Sequence, residues 1–132
     1  MAPGAARIHS RPARLLRRQD FVRVQSGGRR FRRPHLVLLV DAGEHAAARV
    51  GYTISRKVGN SVVRNRVRRR LRELVRAQAE LLAPHYDYVI IATPAAATAD
   101  FATLRHEVSD ALDAAARWTK QARTSAVPTR EA

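Results

Sequence analysis

Apolar residues recur along the chain at two different periods, and the switches between them divide it into elements. Between Arg17 and Ser26, Phe21 and Val24 fall on one side of a short helix, and Gly27-Gly28 supplies its stop. Arg29 to Arg33 is a basic run closed by Pro34. Three segments rich in Val, Ile, Leu or Tyr then read as strands: Leu36 to Val40, Ala48 to Ser55 and Asp87 to Thr93. Asp41 to Ala47 is a hairpin loop between the first two. Between the second and third strands the apolar positions shift to a helical period. That helix covers about Ser61 to Leu82, with Val63, Val67, Leu71, Leu74, Gln78 and Leu82 as its inward stripe and Ala83-Pro84 as its stop. A last helix opens with Asp100 as N-cap and runs to about Lys120, turning Phe101, Leu104, Val108, Leu112 and Ala115 inward.

The order helix, strand, strand, helix, strand, helix predicts an α+β fold. It is a single-domain α/β sandwich of three main strands and three helices, to which one further short strand can be added. Residues 1–14 show no periodicity and read as a disordered basic arm, residues 15–122 as the domain and residues 123–132 as a flexible tail. A chain of 132 residues with 45% hydrophobic content is enough for one core. It has no Cys, which excludes disulfides and thiolate metal sites. Its apolar runs, such as Leu36 to Val40, fall far short of the roughly 20 residues that span a bilayer. Arg17-Arg18 is not followed by the apolar stretch of a secretory signal, so the chain reads as cytoplasmic, with no membrane role.

Charge changes the picture most. The formal net charge is +14, and it is clustered. Residues 1–40 hold ten arginines against one acid, Asp20, and residues 49–76 hold nine arginines and Lys57 against one acid, Glu73, while the rest of the chain is mildly acidic. Two basic blocks on such a chain imply a polyanionic partner. All but Lys57 and Lys120 of the 25 basic residues are Arg. Arg grips phosphates with a planar fork and stacks on bases, beyond what a diffuse electrostatic patch needs. Biased codon usage would explain part of the Arg excess but not its clustering.

On a wheel of 100° per residue, Val63, Leu71, Leu74, Gln78, Leu81 and Leu82 lie within about 60° of Val67. Asn65, Arg66, Arg68, Arg69, Arg72 and Arg76 lie on the far side, with Arg64 and Arg70 flanking the stripe. A merely solvated face would mix signs and pair Glu with Arg at i,i+4. Here no acid precedes Glu73, and Arg64 and Arg66 sit near the N-terminus, where the helix dipole disfavours cations. The face is therefore read as an anion-binding surface. Ser55 to Ser61 leads into it through a glycine-containing loop whose free N–H groups, with Arg56 and Lys57, form a phosphate site; the spacing is not that of a nucleotide P-loop. Asn60 or Ser61 can also serve as a plain N-cap.

The run Ile54 to Glu73, with Lys57 to Asn60 ahead of Arg64-Asn65-Arg66, closely resembles the signature of the bacterial ribonuclease P protein subunit. Weaker similarity extends over about residues 14–118, including the segment Leu15 to Phe21, Arg49-Val50-Gly51 and Asp87 to Ala92. The resemblance implies a small subunit of a ribonucleoprotein that removes the 5′ leader from precursor tRNA. The RNA subunit is the catalyst, with magnesium ions, and the partners are that RNA and precursor tRNA, with no protein partner. It also implies a left-handed βαβ crossover around the long helix. Carried over by residue, the RNA contacts are Arg56, Lys57, Asn60, Arg64, Asn65, Arg66, Arg68, Arg69 and Arg72. Phe21 matches the first aromatic of a leader-binding cleft between sheet and first helix. Where the family often has further aromatics this chain has Gln25, His35 and Leu38, so base stacking is expected to be weaker and Arg30, Arg32 and Arg33 to hold more of the leader.

No catalytic or metal-binding side chain is expected in the protein. Its five His are scattered without metal-ligand spacing, and Asp20, Asp41 and Asp87 are single acids bounding elements. The alternatives are a ribosomal-type structural RNA-binding protein, or a DNA-binding protein reading a groove with the Arg helix. The latter lacks the turn and dimer logic such readers use.

Overall fold

In the computed structural model, residues 12–131 are described, so most of the expected N-terminal arm lies outside them. The elements in chain order are β1 (Ala13–Arg14), α1 (Arg18–Gly27), β2 (Arg29–Arg32), β3 (Leu36–Ala42), β4 (Arg49–Thr53), α2 (Ser61–Ala77), β5 (Tyr86–Ala92) and α3 (Phe101–Glu131), with 3₁₀ turns at Ala79–Leu81 and Pro94–Ala97. The expected α+β class holds, but the sheet has five strands in the order β1-β4-β5-β3-β2. β4 pairs parallel with both β1 and β5, while β3 pairs antiparallel with β5 and β2. The two extra strands are edges with weak apolar patterns. β1 has two residues, and β2 reads Arg29-Arg30-Phe31-Arg32, its charges suiting a solvent edge.

Alternation along the strands sends two sets of side chains to opposite faces. Leu36, Leu38, Val40, Val50, Tyr88 and Ile90 meet Val67, Leu71, Leu74 and Val75 of α2 and Leu104, Val108 and Leu112 of α3 in the main core. Val75 lies outside the stripe drawn from the sequence because α2 packs on α3 as well as on the sheet. Trp118 of α3 closes this core edge-on to Phe31 and Tyr86, at centroid distances of 6.5 and 6.1 Å. The other face carries a smaller core of Leu39 and Val89 under Leu15, Val24 and Phe21.

Helix ends follow local chemistry. Asn60 caps α2, its Oδ1 accepting from the Val63 N–H at 3.0 Å, and Asp100 caps α3 by accepting from the Thr103 N–H at 2.8 Å. α2 stops at Ala77, short of the expected Leu82, because Gln78 leaves helical geometry at φ −124°, ψ 30° and the chain tightens into the Ala79–Leu81 turn. Beneath that turn the Tyr88 hydroxyl accepts from the Ala83 N–H at 2.7 Å, and burial pushes its pKa up to about 12. α3 continues to Glu131, beyond the expected end near Lys120.

Candidate nucleic-acid interface

α2 follows β4 through the loop of residues 54–60 and is held to the core by its apolar stripe, which leaves its other side outward. Arg69, Arg72 and Arg76 are exposed there, and among the described residues their guanidinium groups form no ion pair or hydrogen bond. Arg68 donates to Asn65 Oδ1 at 3.0 Å. Arg66 and Arg70 lean the other way, donating to the carbonyls of Ala97 at 3.0 Å and Ala99 at 3.4 Å and so bracing the segment after β5 against the helix. The Nε atoms of Arg64 and Arg66 are buried without a hydrogen-bond partner among the described residues. Buried donors left unpaired in this way are uncommon.

The loop ahead of α2 departs from the expectation of free amides. The N–H groups of Val58 and Gly59 are spent on the Ser55 and Arg56 carbonyls, and that of Lys57 on Ser55 Oγ. Those of Ser61 and Val62 have no partner among the described residues, as at any helix start. Arg56 and Lys57 project exposed beside them. Asn60, a residue expected to contact RNA, is occupied as the N-cap through its side-chain oxygen.

On the opposite face, register arranges three rows across the sheet. At one end Asp41, Asp87 and Arg49 are neighbours on β3, β5 and β4. The Asp87 carboxylate is buried and takes a two-pronged contact from Arg49, at 2.9 and 2.8 Å, and another from Arg23 of α1. Burial opposes its ionisation, but the hydrogen bonds and charges of Arg49 and Arg23 outweigh this and hold its pKa below the usual carboxylate range. Arg23 also donates to Asp41 and to the Ala42 carbonyl, both at 2.9 Å, so α1 is pinned at this end. In the middle row Gly51 lies beneath Phe21; a Cβ there would collide with the ring.

The third row, Arg32–Val37–Ile91–Thr53, extends past the cover of α1, and Val37, Ile91 and Thr53 are only partly buried. With Phe21 and Gln25, themselves partly buried, it makes a strip of partly covered residues between sheet and helix. Gln25 Nε2 donates to Thr53 Oγ1 at 3.1 Å, and Arg30 donates to the Gln25 carbonyl at 3.2 Å. Arg33, placed with the cleft residues on sequence, turns to α3 instead and donates to Asp110 at 2.7 Å. His35 does the same through its backbone N–H and its ring, which meet the Glu107 carboxylate at 2.9 and 2.5 Å. Leu38 is buried in the main core. Neither His35 nor Leu38 faces the cleft, so only Gln25 stands where another aromatic would thin or strengthen stacking. Thr53, Val37 and Ile91 were missed on sequence, although their alternation with buried neighbours marks the face they share.

Among the described residues, no group of three or more His, Cys, Asp or Glu could hold a metal ion. No helix there is long and apolar enough to cross a membrane.

A strongly basic helical face on one side of a sheet, with a partly covered strip beside the first helix on the other, fits a small RNA-binding α/β sandwich. The ribonuclease P family model matches residues 10–116. The chain is 40% identical over 101 residues to the ribonuclease P protein component of Geotalea uraniireducens, covering 76% of this chain and 88% of that one. With the Streptomyces avermitilis component it shares 42% over 108 residues, covering 75% and 88%. The solved RNase P protein from Thermotoga maritima superposes with a TM-score of 0.68 at 26% identity, over 75% of this chain and 94% of that one. An RNase P protein from Staphylococcus aureus gives 0.69 at 25%, over 77% and 94%. The chain belongs to the ribonuclease P protein family, whose members are the protein subunits of the ribonucleoprotein that processes tRNA 5′ ends.

Proposed function

We propose that this chain docks on the catalytic RNA of ribonuclease P through the outer side of α2 and holds the 5′ leader of precursor tRNA in the cleft between α1 and the other face of the sheet. The observation that carries this is the exposed row of Arg69, Arg72 and Arg76, whose guanidinium groups have no hydrogen-bonding or ionic partner among the described residues. A folded domain keeps such cations together against their mutual repulsion when a phosphate backbone neutralises them. Arg56, Lys57, Asn60, Asn65, Arg66 and Arg68 extend that contact around the start of the helix. In the cleft Phe21 supplies a stacking ring, and Arg30 and Arg32 supply phosphate contacts. Arg33 supports the cleft from behind through Asp110.

The leader is cut by the RNA subunit, in the cytoplasm, with magnesium supplying metal-ion activation of the attacking water. The protein's residues bind and orient: they neutralise RNA charge and hold the leader in line. No side chain of this chain takes part in bond cleavage. The test is to add the purified chain to transcribed ribonuclease P RNA at low magnesium and measure leader removal from precursor tRNA. Acceleration is expected, and its absence with the cognate RNA would overturn the reading.

A further inference from the structure

A second concave surface lies between the sheet edge and α2, on the side away from the leader cleft. It is a cleft of about 590 Å³ lined by Arg14, Tyr52, Arg69, Arg72, Glu73 and Arg76. β1 is two residues long and ends opposite Val50, so the edge of β4 beyond it stays open and Tyr52 is left only half covered. Four arginines share the cleft with that ring, and among the described residues none of their side chains has a hydrogen-bonding or ionic partner. Glu73 shares the helix with Arg69 and Arg76 at spacings that permit ion pairs, yet it forms none among the described residues. Burial raises the Tyr52 pKa although the charges of Arg72 and Arg14 act to lower it, which places both cations near the ring.

We propose that this cleft binds one unpaired nucleotide of the RNA partner, its base against the Tyr52 ring and its flanking phosphates between Arg14 and Arg76. The size falls within the range of small-ligand sites. A duplex backbone would call for cations alone; a half-covered aromatic ring among arginines suits a base that has left its stack, because rings and guanidinium planes both stack on bases. Arg14 and Arg76 come from opposite walls, a strand at the sheet edge and the last turn of α2, so the site exists only in the folded chain. The inference rests on the reading of this chain as an RNA-binding subunit and adds a site to it that the arginine helix alone does not contain.

The test uses the full chain and transcribed ribonuclease P RNA, with affinity measured across a salt series. Tyr52→Leu is expected to weaken binding about five-fold or more, the lower end for loss of one stacked base, with the salt slope unchanged because no phosphate contact is lost. Tyr52→Phe keeps the ring and should bind like the parent. Arg14→Ala with Arg76→Ala should reduce the slope by about 1.4, for two single-strand phosphate contacts. Binding of Tyr52→Leu within two-fold of the parent overturns the proposal. As a check that does not depend on leucine being tolerated, Tyr52→Trp in a Trp118→Phe background gives a single reporter, because the chain has one Trp. Quenching of its fluorescence on RNA addition is expected, and an unchanged signal at saturating RNA overturns the site. If leader cleavage is not stimulated but Tyr52→Leu still loses RNA affinity, the assembly reading falls and the nucleotide site stands. If stimulation is seen and Tyr52→Leu binds normally, only the nucleotide site falls.

Discussion

Asp87→Asn tests how α1 is tied to the sheet. The Asp87 carboxylate is 1% exposed and receives Arg49 from the neighbouring strand and Arg23 from α1. An amide of the same shape would leave two guanidinium groups facing a neutral oxygen and an N–H donor. Breaking a buried pair costs about 3–5 kcal/mol. Arg23 is more than a third exposed and keeps Asp41 at 2.9 Å, so its share is screened and partly replaced. Arg49 retains only a 3.7 Å contact to Asp20. The loss should therefore sit near the bottom of that range, ~3 kcal/mol, or a fall of about 10 °C in Tm for a domain of this size. Urea unfolding followed by circular dichroism measures it.

The pH dependence gives an independent arm. Because the folded pKa of Asp87 lies below its unfolded value, its contribution is fully present above the unfolded pKa of about 3.9 and is lost as pH falls through the folded value. The parent should lose stability in that acid window, and Asp87→Asn should lose less there. A destabilisation under ~1 kcal/mol, or an unchanged acid slope, would refute the view that this carboxylate pins α1 to the sheet.

Other outcomes follow from the same geometry. Gly51→Ala places a methyl group into the Phe21 ring and should cost about 1–3 kcal/mol in urea unfolding; adding Phe21→Ala should recover part of that loss, and simple additivity would contradict the contact. Arg32→Ala should weaken binding of leader-bearing precursor much more than of mature tRNA, whereas Arg33→Ala, whose guanidinium faces Asp110, should change stability by under about 1 kcal/mol and leave that discrimination unaltered. Equal selectivity loss in both variants would be the contrary result in an equilibrium binding assay. Arg69→Ala should lower the salt slope of RNA binding by about 0.7–0.9, one phosphate contact, in filter binding across a salt series.

What the sequence alone determined about this protein is whatever depends on near neighbours along the chain. The period of Val67, Leu71 and Leu74 put Arg69, Arg72 and Arg76 of α2 on the outer side, and Asp100 was legible as a cap because its partner, Thr103, is three residues away. The Arg64-Asn65-Arg66 run is likewise a contiguous signal. Tertiary structure decided which charges are free. Arg33 looked equivalent to Arg32 until the fold brought Asp110, 77 residues on, against it. Asp87 read as an element boundary, yet register sets it between Asp41 and Arg49, with Arg23 arriving 64 positions away. The sequence allowed one further short strand without placing it, and β1 and β2 could not be placed because edge strands of two and four mostly polar residues take their stability from a partner strand. Tyr52 belongs to the same class. On a strand it is one more alternating apolar residue, and only the ending of β1 and the approach of α2 leave its ring half open among arginines, since exposure is a property of the whole packing and not of local period.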